Sequence, residues 1–116
     1  MNITVQKYGG TSVGDVERIG KVAARVARAV NEGCKVAVTV SAMGRTTDRL
    51  VSLAKEVTPR PSQRELDVLM ATGEQQSTAL LSMALHKLGV RARSFTGQQA
   101  GFSQLGTTGS RTVFLS

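Results

Sequence analysis

"KVAVTV", residues 35–40, is a β-branched run with almost no polar alternation, as expected of a strand covered on both faces by helices. Upstream, Ile3 and Val5 alternate with Thr4 and Gln6 like a half-buried strand, which runs into Lys7, Tyr8 and the pair Gly9-Gly10. From about Asp15 the period changes. Val16, Ile19, Val22, Ala23, Val26, Ala27 and Val30 share one stripe of a helix, and Gly33 supplies its stop. Arg18, Lys21, Arg25 and Arg28 fall opposite, as a solvated outer face.

Downstream, the strand ends in Ser41-Ala42-Met43-Gly44, and a helix is predicted from Thr46 or Thr47 with Leu50, Leu53, Ala54 and Val57 turned inward. Pro59 and Pro61 break the chain. Ser62 and Glu65 have capping-box spacing ahead of Leu66 and Leu69, so a further helix starts there. An interruption is predicted at Thr72-Gly73-Glu74. Beyond it Ala79, Leu80, Met83, Ala84 and Leu88 continue at helical spacing to Gly89. Residues 90–95 return to an extended pattern, and a last strand is predicted at Thr112 to Leu115.

Strand, helix, strand, helices, strand is the order of parallel βαβ units, whose right-handed crossovers set three strands side by side. Ligands of such sheets collect beyond the carboxyl ends of the strands. Three small-residue loops meet there: Lys7 to Gly10, Ser41 to Gly44, and Thr96 to Gly101.

Composition removes several classes of function. The chain has 116 residues and a net charge of +7, but its bases are dispersed from Lys7 to Arg111 and aromatics are 3%, too few for a base-stacking platform. No nucleic-acid partner is therefore expected. No apolar run is long enough for a membrane span, and the N-terminus lacks the layout of a secretory signal, so a cytoplasmic location is expected. The single cysteine, Cys34, reads as a packed thiol, and His86, without a partner at metal spacing, as structural. Residues 75–116 contain no Asp or Glu, so any carboxylate for Mg²⁺ must come from upstream, and no metal ligand is assigned.

Among the candidates, Lys7 beside Gly9-Gly10 suits polyphosphate, because bare glycines let backbone N–H groups approach an anion and the next helix adds its positive end. A surface strand can also end this way. The loop is neither a Walker A sequence nor a dinucleotide fingerprint. Ser41, Thr46 and Thr47 offer hydroxyls that either hold a substrate carboxylate or cap the helix. Glu74 either caps a helix or pairs with a substrate amine.

Read together, "VQKYGGTSV" (5–13), "VTVSAMGRTTDRL" (38–50), "TGEQQSTALLSMAL" (72–85) and "SFTGQQAG" (94–101) resemble the amino-terminal portion of the aspartate kinases, members of the amino-acid kinase family. The resemblance extends to about Gly101 and thins in "GTTGSRTVFLS". It implies an α/β fold, a three-layer sandwich with a mainly parallel sheet. It also implies phosphorylation of the aspartate β-carboxylate to 4-phospho-aspartate by ATP with Mg²⁺, at the head of lysine, threonine and methionine biosynthesis. By the same resemblance Lys7, Tyr8, Gly9, Gly10 and Ser41 contact the ATP phosphates, with Lys7 catalytic, and Thr46, Thr47 and Glu74 bind aspartate.

Aspartate kinases continue with a second half of the kinase domain and usually ACT domains. Residues 1–116 are thus expected to be the amino-terminal portion of a kinase domain, truncated or frame-shifted at its end, that joins an oligomer or a complementing kinase chain. The alternative is a non-catalytic subunit that binds a partner through an exposed sheet edge.

Overall fold

The computed structural model describes residues 3–95 and the strand at 111–115. Along the chain lie β1 (Ile3–Tyr8), α1 (Val16–Asn31), β2 (Lys35–Val40), α2 (Thr46–Val57), α3 (Gln63–Lys87), β3 (Ala92–Phe95) and β4 (Arg111–Leu115). The loop predicted from Thr96 to Gly101 lies outside the described residues.

Local chemistry sets most of the boundaries. The carboxylate of Asp15 accepts the Arg18 backbone N–H at 2.8 Å and caps α1. The helix ends where Gly33 takes φ +92°, a conformation that side-chain-bearing residues rarely adopt, and Gly89 closes α3 likewise at φ +80°. Ser62 caps α3, its hydroxyl accepting from the Glu65 N–H at 3.5 Å.

β1 pairs with β2 in parallel, from Ile3 opposite Lys35 to Tyr8 opposite Val40. The sheet order is β1-β2-β4-β3, and β4 runs antiparallel to both of its neighbours. The predicted side-by-side set of three parallel strands is therefore corrected: β1, β2 and β3 share a direction, but β4 stands between β2 and β3. The cause is the β3-to-β4 reversal, since an antiparallel neighbour needs no crossover helix.

Val36, Val38 and Val40 point to one face, where they join Ile19, Val22, Ala23 and Val26 of α1 and Leu81 and Leu85 of α3 in a single buried cluster. Cys34 packs against this cluster, as predicted. The opposite face behaves differently. Ile3 and Val5 are about 70% exposed there, at 69% and 72%, and among the described residues no helix covers them. The described helices thus supply one of the two helical layers that "KVAVTV" suggests.

α3 is continuous through Thr72-Gly73-Glu74, so the predicted interruption does not occur. Its buried stripe also differs from the predicted one. Gly73, Glu74, Ser77, Thr78, Leu81, Ser82 and Leu85 face inward, whereas Leu80, Met83 and Leu88 are exposed. Two of the inward hydroxyls are satisfied within the helix, Thr78 Oγ1 donating to the Glu74 carbonyl at 2.8 Å and Ser77 Oγ to that of Gly73 at 3.5 Å, whereas the buried Ser82 hydroxyl has no partner among the described residues. Leu80 and Met83 instead line an open apolar groove of about 410 Å³ against α1, and Val16, predicted to be inward, lies in the same groove at 76% exposure. On α2 no residue is fully buried, and Leu53 and Val57, also predicted to be inward, are exposed.

His86 has the structural role predicted for it. Its Nε2 donates to the Ala92 carbonyl at 2.8 Å and ties the end of α3 to β3. Among the described residues no helix is long and apolar enough to cross a membrane.

Candidate functional site

Parallel pairing brings the ends of β1 and β2 to one level, with Lys7 opposite Thr39 and Tyr8 opposite Val40. The chain beyond each strand is then held to the other. The Ser41 N–H donates to the Tyr8 carbonyl at 3.1 Å, so the ladder runs one step past the strands. A Cβ on Gly10 would stand 3.0 Å from the Ala42 carbonyl oxygen, a contact that only glycine permits without moving backbone. The two loops therefore meet backbone to backbone.

The first loop is pinned from both sides. Val13 is fully buried. Turn bonds run from the Ser12 N–H to the Gly9 carbonyl at 3.1 Å and from the Gly14 N–H to the Thr11 carbonyl at 3.3 Å. Arg18 Nη1 donates to the Thr11 carbonyl at 2.8 Å, and its Nε lies 3.9 Å from the Asp15 carboxylate. Lys7 and Gly9 are exposed, while Tyr8 and Gly10 are half-buried. The Tyr8 hydroxyl donates to Gln6 Oε1 at 2.8 Å, so the phenol turns back along its own strand.

The second loop leads into α2 without a side-chain cap. Arg45 holds the N-cap position in helical conformation and makes no capping bond. Thr46 and Thr47 are the first two residues inside the helix, and the Thr46 N–H is taken by the Met43 carbonyl at 2.9 Å. The capping alternative for these hydroxyls is therefore not what the structure shows. Glu74 does not cap a helix either, because it lies inside α3, with 9% of its surface exposed.

α3 reaches the same place by close packing. A Cβ on Gly73 would stand 3.0 Å from Thr46 Cγ2 and 3.2 Å from the Ala42 methyl. Ala42, 7% exposed, thus touches the Gly10 loop on one side and α3 on the other. The segments bearing Lys7 to Gly10, Ser41, Thr46-Thr47 and Glu74 all converge on it.

Beside this junction opens a cleft of about 610 Å³ whose walls include Thr11, Arg18, Met43, Gly44, Arg45 and Thr46. Lys7, Ser41, Thr47 and Glu74 are not part of its walls. Sequence reasoning missed both arginines. Arg18 was assigned to the solvated face of α1, yet it reaches back to the loop; the Asp15-to-Arg18 spacing at a helix start is the signal that could have found it. Arg45 carries no such signal. Two guanidinium groups and an uncapped helix start bring positive charge to this cleft, and the Asp15 carboxylate on the same wall offsets part of that of Arg18. Among the described residues no group of three or more His, Cys, Asp or Glu side chains gathers to hold a metal.

The sequence profile described as the amino acid kinase family matches residues 2–115. The chain is 58% identical to the aspartokinase of Geobacillus stearothermophilus over 103 residues, covering 89% of this chain and 25% of that protein. With the aspartokinase of Thermus thermophilus it shares 55% over 113 residues, 97% of this chain and 28% of the other. The solved aspartate kinase from Synechocystis superposes with a TM-score of 0.80 at 55% identity, over 84% of this chain and 17% of that one. The chain thus spans about a quarter of the length of these curated relatives.

Two outcomes follow for the sequence reading. The α/β architecture implied by the four motifs is the architecture observed. The family match itself extends past Gly101, to residue 115, while the alignment with the Geobacillus stearothermophilus protein covers 103 residues. With a profile that takes in nearly every residue and a solved neighbour that superposes over 84% of the sequence, the chain belongs to the amino acid kinase family.

Proposed function

We propose that this chain carries the phosphate loop and the amino-acid side of an aspartate kinase site. The observation that carries this reading is the convergence on Ala42 of the Gly10 loop, the start of α2 and the Gly73-Glu74 turn of α3. In this reading a β-carboxylate oxygen of aspartate attacks the γ-phosphorus of ATP in line. The bond to the β,γ-bridging oxygen breaks, ADP leaves, and 4-phospho-aspartate forms.

The attacking carboxylate needs no general base, since a free aspartate side chain with pKa about 3.9 is ionised near neutral pH. Catalysis reduces to bringing two anions together and offsetting their repulsion. Lys7 supplies a mobile positive charge at the exposed strand tip, and the N–H groups of Gly9 and Gly10 supply fixed dipoles. Tyr8 contributes backbone to the same phosphate-binding stretch, and Ser41 stands between phosphate and acceptor. The hydroxyls of Thr46 and Thr47, free of capping duty, receive the carboxylate end of aspartate, and the carboxyl group of Glu74 receives its α-ammonium. Mg²⁺ would arrive with the nucleotide, and among the described residues no cluster of three or more His, Cys, Asp or Glu side chains forms a cage for it.

The test is aspartyl hydroxamate formation from aspartate, ATP and Mg²⁺ in the presence of hydroxylamine, with a preparation free of other kinases. Hydroxamate that depends on both ATP and aspartate supports the reading. Its absence from folded chain supplied with a complementing kinase chain contradicts it.

A second reading is favoured by one specific observation. β1 is an edge strand whose outward Ile3 and Val5 are exposed, a surface suited to a complementing chain or a second copy. Sedimentation that shows a monomer at every concentration counts against it.

A further inference from the structure

Glycine is among the least favourable residues in a helix interior, yet Gly73 lies inside the continuous α3 with ordinary helical φ. Its surroundings give the reason. A Cβ there would meet Thr46 Cγ2 at 3.0 Å, the Ala42 Cβ at 3.2 Å and Leu50 Cδ1 at 3.4 Å. Leu50 can swing aside, but the other two cannot readily do so. The Ala42 methyl is bonded directly to a backbone that the neighbouring Ser41-to-Tyr8 hydrogen bond holds, and the Thr46 methyl sits on a β-branched carbon in the first turn of α2.

We infer that Gly73 is a positioning residue for the amino-acid side of the site. Its bare Cα sets how closely α3 approaches the β2-to-α2 turn, and so sets the separation of Glu74 from Thr46 and Thr47. The two nearest atoms belong to residues at the candidate site: Ala42 follows Ser41, and Thr46 is itself a candidate ligand beside Thr47, while Gly73 precedes Glu74. An added methyl would displace α3 by tenths of an ångström, and the displacement would fall on the amino acid rather than on the nucleotide, because the Gly10 loop contacts the far side of Ala42. This inference rests on the aspartate reading proposed above.

Calorimetric titration of the whole chain with aspartate and, separately, with ATP and Mg²⁺ tests it in four proteins: parent, Gly73→Ala, Thr46→Ser and the double variant. Gly73→Ala is expected to weaken aspartate uptake about tenfold or more while ATP uptake is retained. In the Thr46→Ser background, where the 3.0 Å contact is gone, the same change is expected to cost much less. Should Gly73→Ala alone fail to take up ATP, as an unfolded chain would, the double variant is compared with Thr46→Ser. A loss of aspartate uptake well below tenfold in that pair supports the inference, since the 3.2 Å contact with Ala42 remains, and a loss of tenfold or more overturns it. A Gly73→Ala protein that binds aspartate as the parent does overturns the inference and leaves the aspartate reading intact. A folded parent that binds ATP but takes up no aspartate overturns both.

Discussion

The carbonyl oxygen of Ala42 lies 3.0 Å from the point that a Cβ on Gly10 would occupy. That single approach locks the loop after β1 onto the loop after β2, and it brings the exposed Lys7 within the same sheet edge as Ser41. Since the obstructing atom is backbone, it cannot turn away as a side chain would. Gly10→Ala should therefore destabilise the chain by about 1–3 kcal/mol, the usual range for overpacking. Urea unfolding checks this; an unchanged midpoint and slope would show that the loops are not in contact.

The inward stripe of α3 gives a second prediction. Leu81 is fully buried, whereas Met83, which the helical periodicity placed inward, is 62% exposed. Leu81→Ala should cost about 2–5 kcal/mol, as buried leucine truncations do. Met83→Ala should stay within about 0.5 kcal/mol, as surface substitutions do. Thermal unfolding of the two variants distinguishes them, and a reversed order would restore the stripe read from the sequence.

Glu74 gives a third. Its carboxyl is buried in α3 beside the Gly73 contact, and in the proposed site it faces the α-ammonium of aspartate. A hydrogen bond to a charged group is worth about 1.5–3 kcal/mol, so Glu74→Gln should weaken aspartate binding roughly 10- to 100-fold. ATP uptake should be unaffected. Parallel titrations with the two ligands check this, and equal loss of both would mean that the substitution disturbs the fold instead.

These residues also show what a sequence can and cannot convey. The capping spacing from Ser62 to Glu65 and the stops at Gly33 and Gly89 were legible because each is settled by atoms a few residues apart. The meeting of Lys7-Gly10 with Ser41 was legible because parallel strands end at one edge. The continuity of α3 was not. Gly73 resembles a break in one dimension and becomes a close contact only when Thr46 and Ala42 are placed against it. The insertion of β4 between β2 and β3 was hidden for a similar reason, since strand order depends on pairing between distant segments. Arg18 lies on the solvated face as read, but helical periodicity places only its Cα, and the reach of its long side chain back to the Thr11 carbonyl was not legible.

The most direct measurement concerns Lys7, whose charge stands at the tip of the opening strand. Calorimetric titration of the folded chain with ATP and Mg²⁺, in parent and Lys7→Ala, should show uptake that the substitution reduces by an order of magnitude or more. Indistinguishable heats in the two proteins would contradict the claim that this strand tip receives the phosphates.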